Sequence, residues 1–199
     1  MENVKPGRPR SFDPDAALEK ALTVFWEHGY EGASLAMLTE AMGISRKSMY
    51  AAFGNKEELF FKVLHLYERG PGAYVQESVR AHTAREVARD YLYGAVHAGT
   101  QPNRPAGCLG VRAALAVGAT GKDVQDALAS WRAKSQEDLH ERFQRAVVEE
   151  DLPSHADADM IARYLTTVAD GVSVQATGGA SREALERVAD AALLNWPPA

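Results

Sequence analysis

Residues 34–60 read SLAMLTEAMGISRKSMYAAFGNKEELF, and the punctuation within this stretch decides the fold. Ser34 is an N-cap residue, and Leu35, Leu38 and Met42 follow at helical spacing, so a short helix runs up to Gly43. Gly43 lacks a Cβ and can take the left-handed conformation that a tight turn needs. Ser45 caps a second short helix through Met49 to Phe53, and Gly54-Asn55 interrupts it. Asn55 and Glu58 have the spacing of a capping box and open a longer helix carrying Leu59, Phe60, Val63, Leu64 and Tyr67. Gly70-Pro71-Gly72 breaks that helix. Two short helices joined by a glycine turn form a helix-turn-helix arrangement.

Charge suggests what the arrangement touches. The chain as a whole is acidic, with 22 Lys+Arg against 27 Asp+Glu and a net charge of -5. Yet from Ile44 to Lys56 it holds Arg46, Lys47 and Lys56 and no acid. Met49 and Phe53 lie four residues apart and share the inward face, which leaves Arg46, Lys47, Ser48 and Tyr50 outward. Hydroxyls, lysines and helix N-termini hold phosphates, and a helix of this size fits the major groove. The tail KPGRPR (residues 5–10) places Lys5, Arg8 and Arg10 among prolines, as in arms that enter the minor groove. A basic surface helix with a solvated tail is the plainer alternative.

Outward from this stretch the chain reads as helix after helix. Asp13-Pro14 opens a first helix with Leu18, Leu22, Phe25 and Trp26, ending at Gly29. Thr83 and Glu86 start another, with Val87, Tyr91, Leu92 and Val96, and residues 99–107 form a turn-rich loop. An apolar helix follows from Cys108 to Val117, then a long amphipathic one with Val124, Leu128, Trp131, Leu139, Phe143 and Val147. Two final helices carry Ile161, Tyr164, Leu165, Val168 and Val172, then Leu185, Val188, Ala192 and Leu193. The fold class is all-α, with about nine helices.

Composition excludes several classes. Hydrophobic residues make up 46% of 199, which suits a folded chain with a sizeable core. No apolar run reaches the roughly 20 residues that span a bilayer, and no signal-peptide core is present, so a cytoplasmic protein without membrane contact is expected. The single cysteine, Cys108, permits no intrachain disulfide and no multi-cysteine metal site. None of the 6 histidines pairs at metal-ligand spacing, and no phosphate loop or nucleophile elbow occurs. No metal, cofactor or catalytic residue is expected, nor an enzyme.

Residues 12–60 resemble the DNA-binding domain of the TetR family of bacterial transcriptional regulators. The carriers are ALTVFWEHGYEGASLAMLTEAMGISRKSMYAAFGNKEELF (residues 21–60), from the aromatic close of helix one to the NKEEL that opens helix four. The resemblance implies a helix-turn-helix reader over 1–58 and a helical effector-binding and dimerisation domain over 59–199. It implies that Ser45, Ser48 and Tyr50 contact phosphates and that Lys56 anchors helix four to the DNA backbone. Arg8, Arg10, Ser34, Arg46 and Lys47 complete the expected DNA contacts. Two positions depart from the family pattern. Thr39 replaces a small alanine, and Lys47 replaces glycine or alanine and can meet either a guanine edge or a phosphate.

The resemblance further implies a homodimer on a palindromic operator, released by a small-molecule effector. An apolar or aromatic effector would suit the candidate lining of Leu64, Tyr67, Tyr91, Cys108, Val111, Leu115, Trp131 and Val168. The expected dimer interface is Ile161, Tyr164, Leu165, Val172, Leu185, Val188 and Ala192. A repressor is the leading expectation. An activator, an effector-free regulator, a thiol sensor acting through Cys108, and a helical interaction module with an inert reader stay open.

Overall fold

Asp13 opens the first helix by accepting hydrogen bonds from the Asp15 and Ala16 amides, with Pro14 in the first turn. The computed structural model describes residues 12–115, 122–194 and 196–197, with the side chains of 114 and 115 excepted. Its helices are α1 (Pro14–Gly32), α2 (Leu35–Met42), α3 (Arg46–Phe53), α4 (Lys56–Arg69), α5 (Tyr74–Ser78), α6 (Ala84–Gly99), α7 (Leu109–Leu115), α8 (Lys122–Val148), α9 (Ala158–Thr177) and α10 (Arg182–Leu194). No strand occurs among the described residues. The nine expected helices are present, and the five-residue α5 is added to them.

Local chemistry accounts for the N-terminal boundaries. Gly29 leaves the helical region at φ 68°, ψ 179°, so α1 breaks where the sequence marks its end, and one further turn follows. Gly43 sits at φ 69°, ψ 31°, and its amide with that of Ile44 returns to the Glu40 and Thr39 carbonyls. A Cβ at Gly43 would meet nothing within 4 Å, so backbone conformation alone requires glycine there. Ser34, Ser45 and Asn55 each accept the amide three residues on, and Glu58 completes the capping box with Asn55. The departure at Thr39 is absorbed locally, because its hydroxyl donates to the Leu35 carbonyl at 2.8 Å.

The packing forms two apolar cores. The first joins α1–α4 to Leu109 and Ala113 of α7 and to Val124 and Leu128 of α8. Edge-on aromatic pairs run through it: Phe25 with Phe60 at 5.1 Å and Trp26 with Tyr67 at 5.0 Å. The second gathers α6, α9 and α10 with Val75 of α5 and with Leu139, Phe143 and Ala146 of α8. At 27 residues, α8 is about 40 Å long and enters both cores. Because α4 carries the first core as far as Tyr67, packing is continuous across residue 58.

Four bonds from three side chains fasten α1 to the segment around α7. The Trp26 indole donates to the Gly107 carbonyl at 3.1 Å. The Arg112 guanidinium donates to the Trp26 and Glu27 carbonyls at 3.2 and 2.8 Å. Arg104 pairs with Glu19 at 2.9 Å.

Candidate functional site

The short helix α3 has a fixed inner face and a free outer one. Met49 (0% exposed) and Phe53 (5%) anchor it in the first core, while Tyr50 is 48% exposed. Arg46 and Lys47 are exposed, and neither makes an ion pair among the described residues. Ser45 and Ser48 share a hydroxyl–hydroxyl hydrogen bond of 2.9 Å beside the Ser48 amide. Ser34 stands exposed at the start of α2. Together these groups offer hydroxyls, cations and unsatisfied helix-terminal amides on one surface, the set that takes phosphate oxygens.

Lys56 occupies a more particular place than its charge suggests. Its Nζ lies 4.5 Å from the Tyr30 ring centroid, and burial moves the ammonium below its ordinary pKa. Tyr30 is therefore a supporting residue that sequence reasoning missed; the aromatic in GYEG is visible, but nothing local pairs it with a lysine 26 positions on. Arg8 and Arg10 lie outside the described residues.

Behind the reader, where the two cores meet, lies a cavity of about 50 Å³. Tyr67, Tyr91, Cys108, Val111 and Trp131 line it, and so do Tyr74, Arg132, Ser135, Thr166, Asp170 and Ser173, which sequence reasoning missed. Two expected lining residues are corrected. Leu64 is buried in the first core, and Val168 packs on the second core; neither reaches the cavity. Both sit on the right helices, but a helix turns 100° per residue and shows the cavity only one face. The side chain of Leu115 lies outside the described residues.

The Tyr67 hydroxyl donates to Cys108 Sγ at 3.3 Å, and the Cys108 amide donates to Ser173 Oγ at 2.7 Å. Tyr74 and Tyr91 pack ring to ring at 5.7 Å. Burial raises the phenols of Tyr67, Tyr74 and Tyr91 and the Cys108 thiol above their ordinary values. Asp170 borders the cavity although the residue is exposed in the single chain, and desolvation raises its carboxyl while Arg132 opposes that shift. At about 50 Å³ the space holds a few waters. A larger ligand enters only if the lining moves. A groove of about 740 Å³ between α5 and α6 is more spacious but open to solvent, and Glu77, Asp90 and Glu186 line it.

The expected dimer interface is corrected as well. Ile161, Leu165, Val172, Leu185 and Ala192 are 1%, 0%, 2%, 2% and 7% exposed, so they belong to the subunit's own core. Tyr164 packs against that core half-buried. Val188 alone of the set faces outward, at 45% exposure, together with Met160 (51%), Val174 (50%) and Leu194 (80%). Both helices are apolar on more than one face, and spacing alone does not say which face is inside. Among the described residues no cluster of three His, Cys, Asp or Glu could hold a metal, and no helix is long and apolar enough to cross a membrane.

Comparison with known proteins matches two family models. Residues 17–63 match the bacterial regulatory proteins, tetR family, and residues 86–192 match the tetracyclin repressor-like C-terminal domain. The chain is 34% identical to the HTH-type transcriptional repressor ComR of Escherichia coli, over 96% of this chain and 92% of that one. It is similar to a cysteine-substituted CifR, a TetR family regulator solved with 26-base-pair operator DNA, at 43% identity and a TM-score of 0.91, covering 96% of this chain and 100% of that one. A TetR regulator from Rhodococcus sp. RHA1 aligns at 37% identity and a TM-score of 0.64, covering 93% of this chain and 100% of that one.

Proposed function

Because the chain belongs to the TetR family of bacterial regulatory proteins, we propose that it is a transcriptional repressor that pairs on a palindromic operator and leaves it when a small molecule fills the cavity. The relatives are regulators, and we read this chain as a regulator rather than an enzyme, acting in the cytoplasm where its DNA lies. Residues 1–58 serve as the reader and 59–199 as the effector-binding and dimerisation part.

One observation carries the reading: α3 is held by Met49 and Phe53 while Arg46, Lys47, Ser48 and Tyr50 lie on its other side, in a stretch with no acid from Ile44 to Lys56. One helix of 8 residues spans too few base pairs to select a genomic site. Two readers one helical turn of DNA apart, about 34 Å, double the contact surface and match a palindrome. The outer face of α9 and α10, with Met160, Val174, Val188 and Leu194, is the apolar surface available for that pairing.

Release is a population shift, in which the ligand binds better to the arrangement whose readers no longer match two successive grooves. Two connections could transmit it. Tyr67 on α4 reaches the cavity from the same helix that follows the reader, and Gly107 and Arg112 fasten α1 to the cavity wall. Fluorescence anisotropy on the intergenic DNA beside its own gene, titrated at several salt concentrations, tests the reading. Nanomolar binding with a steep salt slope is the expected result. Affinity equal to that for random DNA overturns it for this site.

A further inference from the structure

The cavity of about 50 Å³ shares lining residues with two open grooves, and α5 contributes to both partitions. Toward the groove of about 740 Å³ the shared residues are Tyr74 and Ala98, so Tyr74 supplies the bulk of that partition. Toward a second groove, of about 520 Å³, they are Val75 of α5 with Trp131 and Ser135 of α8. The Tyr74 ring is seated against Gly94 of α6, where an added Cβ would meet it at 2.7 Å.

Of the walls, α5 is the one held least. Helices α6, α8 and α9 run for 16, 27 and 20 residues and build the second core. The Gly107–Cys108 segment is tied by Trp26 and Ser173. By contrast α5 has 5 residues, and its N-cap residue, Ala73, makes no side-chain cap. Only Val75 and Ser78 of it are buried, and the Ser78 hydroxyl donates to the Val75 carbonyl within the same helix. Among the described residues, one side-chain hydrogen bond leaves α5 for another helix, from the Gln76 amide to the Asp138 carboxylate of α8. The two ends are firmer. Gly72 donates to the Tyr67 carbonyl at 2.8 Å, and the buried Arg142 donates to the Ala81 and His82 carbonyls at 3.1 and 2.9 Å.

We propose that α5 is a strap over the cavity and that Tyr74 is its gate. Fastened at Gly72 and at Ala81–His82, the strap lifts in its middle when Gln76 releases Asp138. Tyr74 then leaves its seat against Gly94, and the cavity becomes continuous with the α5–α6 groove. This rests on reading the cavity as the effector site, and it lifts the limit that a volume for a few waters sets. Cavity and groove together fall in the range of about 300–1,000 Å³ in which small-molecule sites lie. Opening so short a helix exposes little core, so it costs a fraction of global unfolding. Gly72 also lies against Tyr67, where an added Cβ would stand 2.9 Å from the ring, so a raised strap bears on α4.

Cys108 lines the cavity and is the chain's one cysteine, which makes its thiol a reporter of opening. The full-length protein is treated with dithiodipyridine, a neutral aromatic disulfide, and the released thiopyridone is followed at rising urea. Wild-type labelling is expected to outpace global unfolding and to depend little on urea at low concentration, as for a local opening. Gln76→Ala, at an exposed position, should label at least about fivefold faster, the worth of one ordinary hydrogen bond. Tyr74→Ala should label at least tenfold faster. Gln136→Ala removes a like bond from α8 to Asp159 of α9 and should label at the wild-type rate. Wild-type labelling that tracks global unfolding at every urea concentration overturns the proposal. So does a wild-type rate in Gln76→Ala, or equal acceleration by Gln136→Ala. Acceleration by Tyr74→Ala alone would mean a static partition and overturns the strap too. Operator binding is measured separately, and its absence defeats the repressor reading while the thiol rates still decide the strap.

Discussion

The indole Nε1 of Trp26 donates to the carbonyl of Gly107 at 3.1 Å, across 81 positions of sequence. Trp26 belongs to the helix that opens the reader, and Gly107 immediately precedes the cavity thiol. Trp26 is fully buried, so the bond has no water to replace it. Trp26→Phe leaves the Gly107 carbonyl without its donor and should lower stability by about 1–3 kcal/mol, measured by urea unfolding. It should also narrow the ratio of operator affinities with and without a cavity ligand, because one route between the two sites is cut.

Lys47 separates two kinds of DNA contact. If it meets a phosphate, Lys47→Ala weakens binding to all sequences alike and reduces the salt slope by about one counterion. If it meets a guanine edge, the slope holds while discrimination at one base pair falls by about 1–3 kcal/mol. Anisotropy titrations on the operator and on single-base variants, each at several salt concentrations, tell these apart.

Gly43 occupies a left-handed position with open space around it. Gly43→Ala should therefore destabilise the reader by about 1–2 kcal/mol through backbone strain alone. Gly43→Asn should cost less, because asparagine tolerates that region better. Comparing the two by thermal unfolding isolates conformation from packing. A larger loss for Asn would point to crowding that the open space contradicts.

Val174 and Val188 are 50% and 45% exposed on the outer face of α9 and α10. Val174→Glu with Val188→Glu should convert a dimer to a monomer in sedimentation and weaken operator binding at least tenfold. The helical content of the chain should stay unchanged, because neither side chain serves the subunit's own core. The same change at Leu165, which is fully buried, should unfold the protein instead.

Tyr67, Tyr74 and Tyr91 carry phenols raised above the ordinary value near 10. A folded-state pKa above the unfolded one stabilises the fold below the unfolded value and loses that contribution as pH rises past it. Urea stability should accordingly hold to about pH 10 and fall above it. Tyr91→Phe should make that alkaline fall shallower.

Much of the N-terminal third was legible because its determinants are local. Capping by Ser34, Ser45 and Asn55, the glycine turn at Gly43 and the inward pair Met49 and Phe53 each depend on residues a few positions apart. The short α5 was not legible. Five residues after Gly70-Pro71-Gly72 carry no periodic signal, and its seat exists because Gly94 of α6 leaves room for Tyr74, whose Cβ a Cβ there would meet at 2.6 Å and whose ring at 2.7 Å. Lys56 was legible as a cation but not as one resting on Tyr30. Five of the eight candidate cavity residues reach the cavity, whereas Leu64 and Val168 are turned into the cores beside it.

By itself, the sequence determined the all-helical class, the helix-turn-helix and its basic outer face. Helix period, caps and turn residues act over one or two turns and are written in adjacent positions. Only the tertiary structure decided which stripe of α9 and α10 is core, that Tyr74, Tyr91 and Cys108 line one cavity, and that Trp26 is fastened to its wall. Each of those outcomes depends on which helix packs against which. The apolar burial that drives this packing is non-directional and leaves no mark on the local spacing of residues.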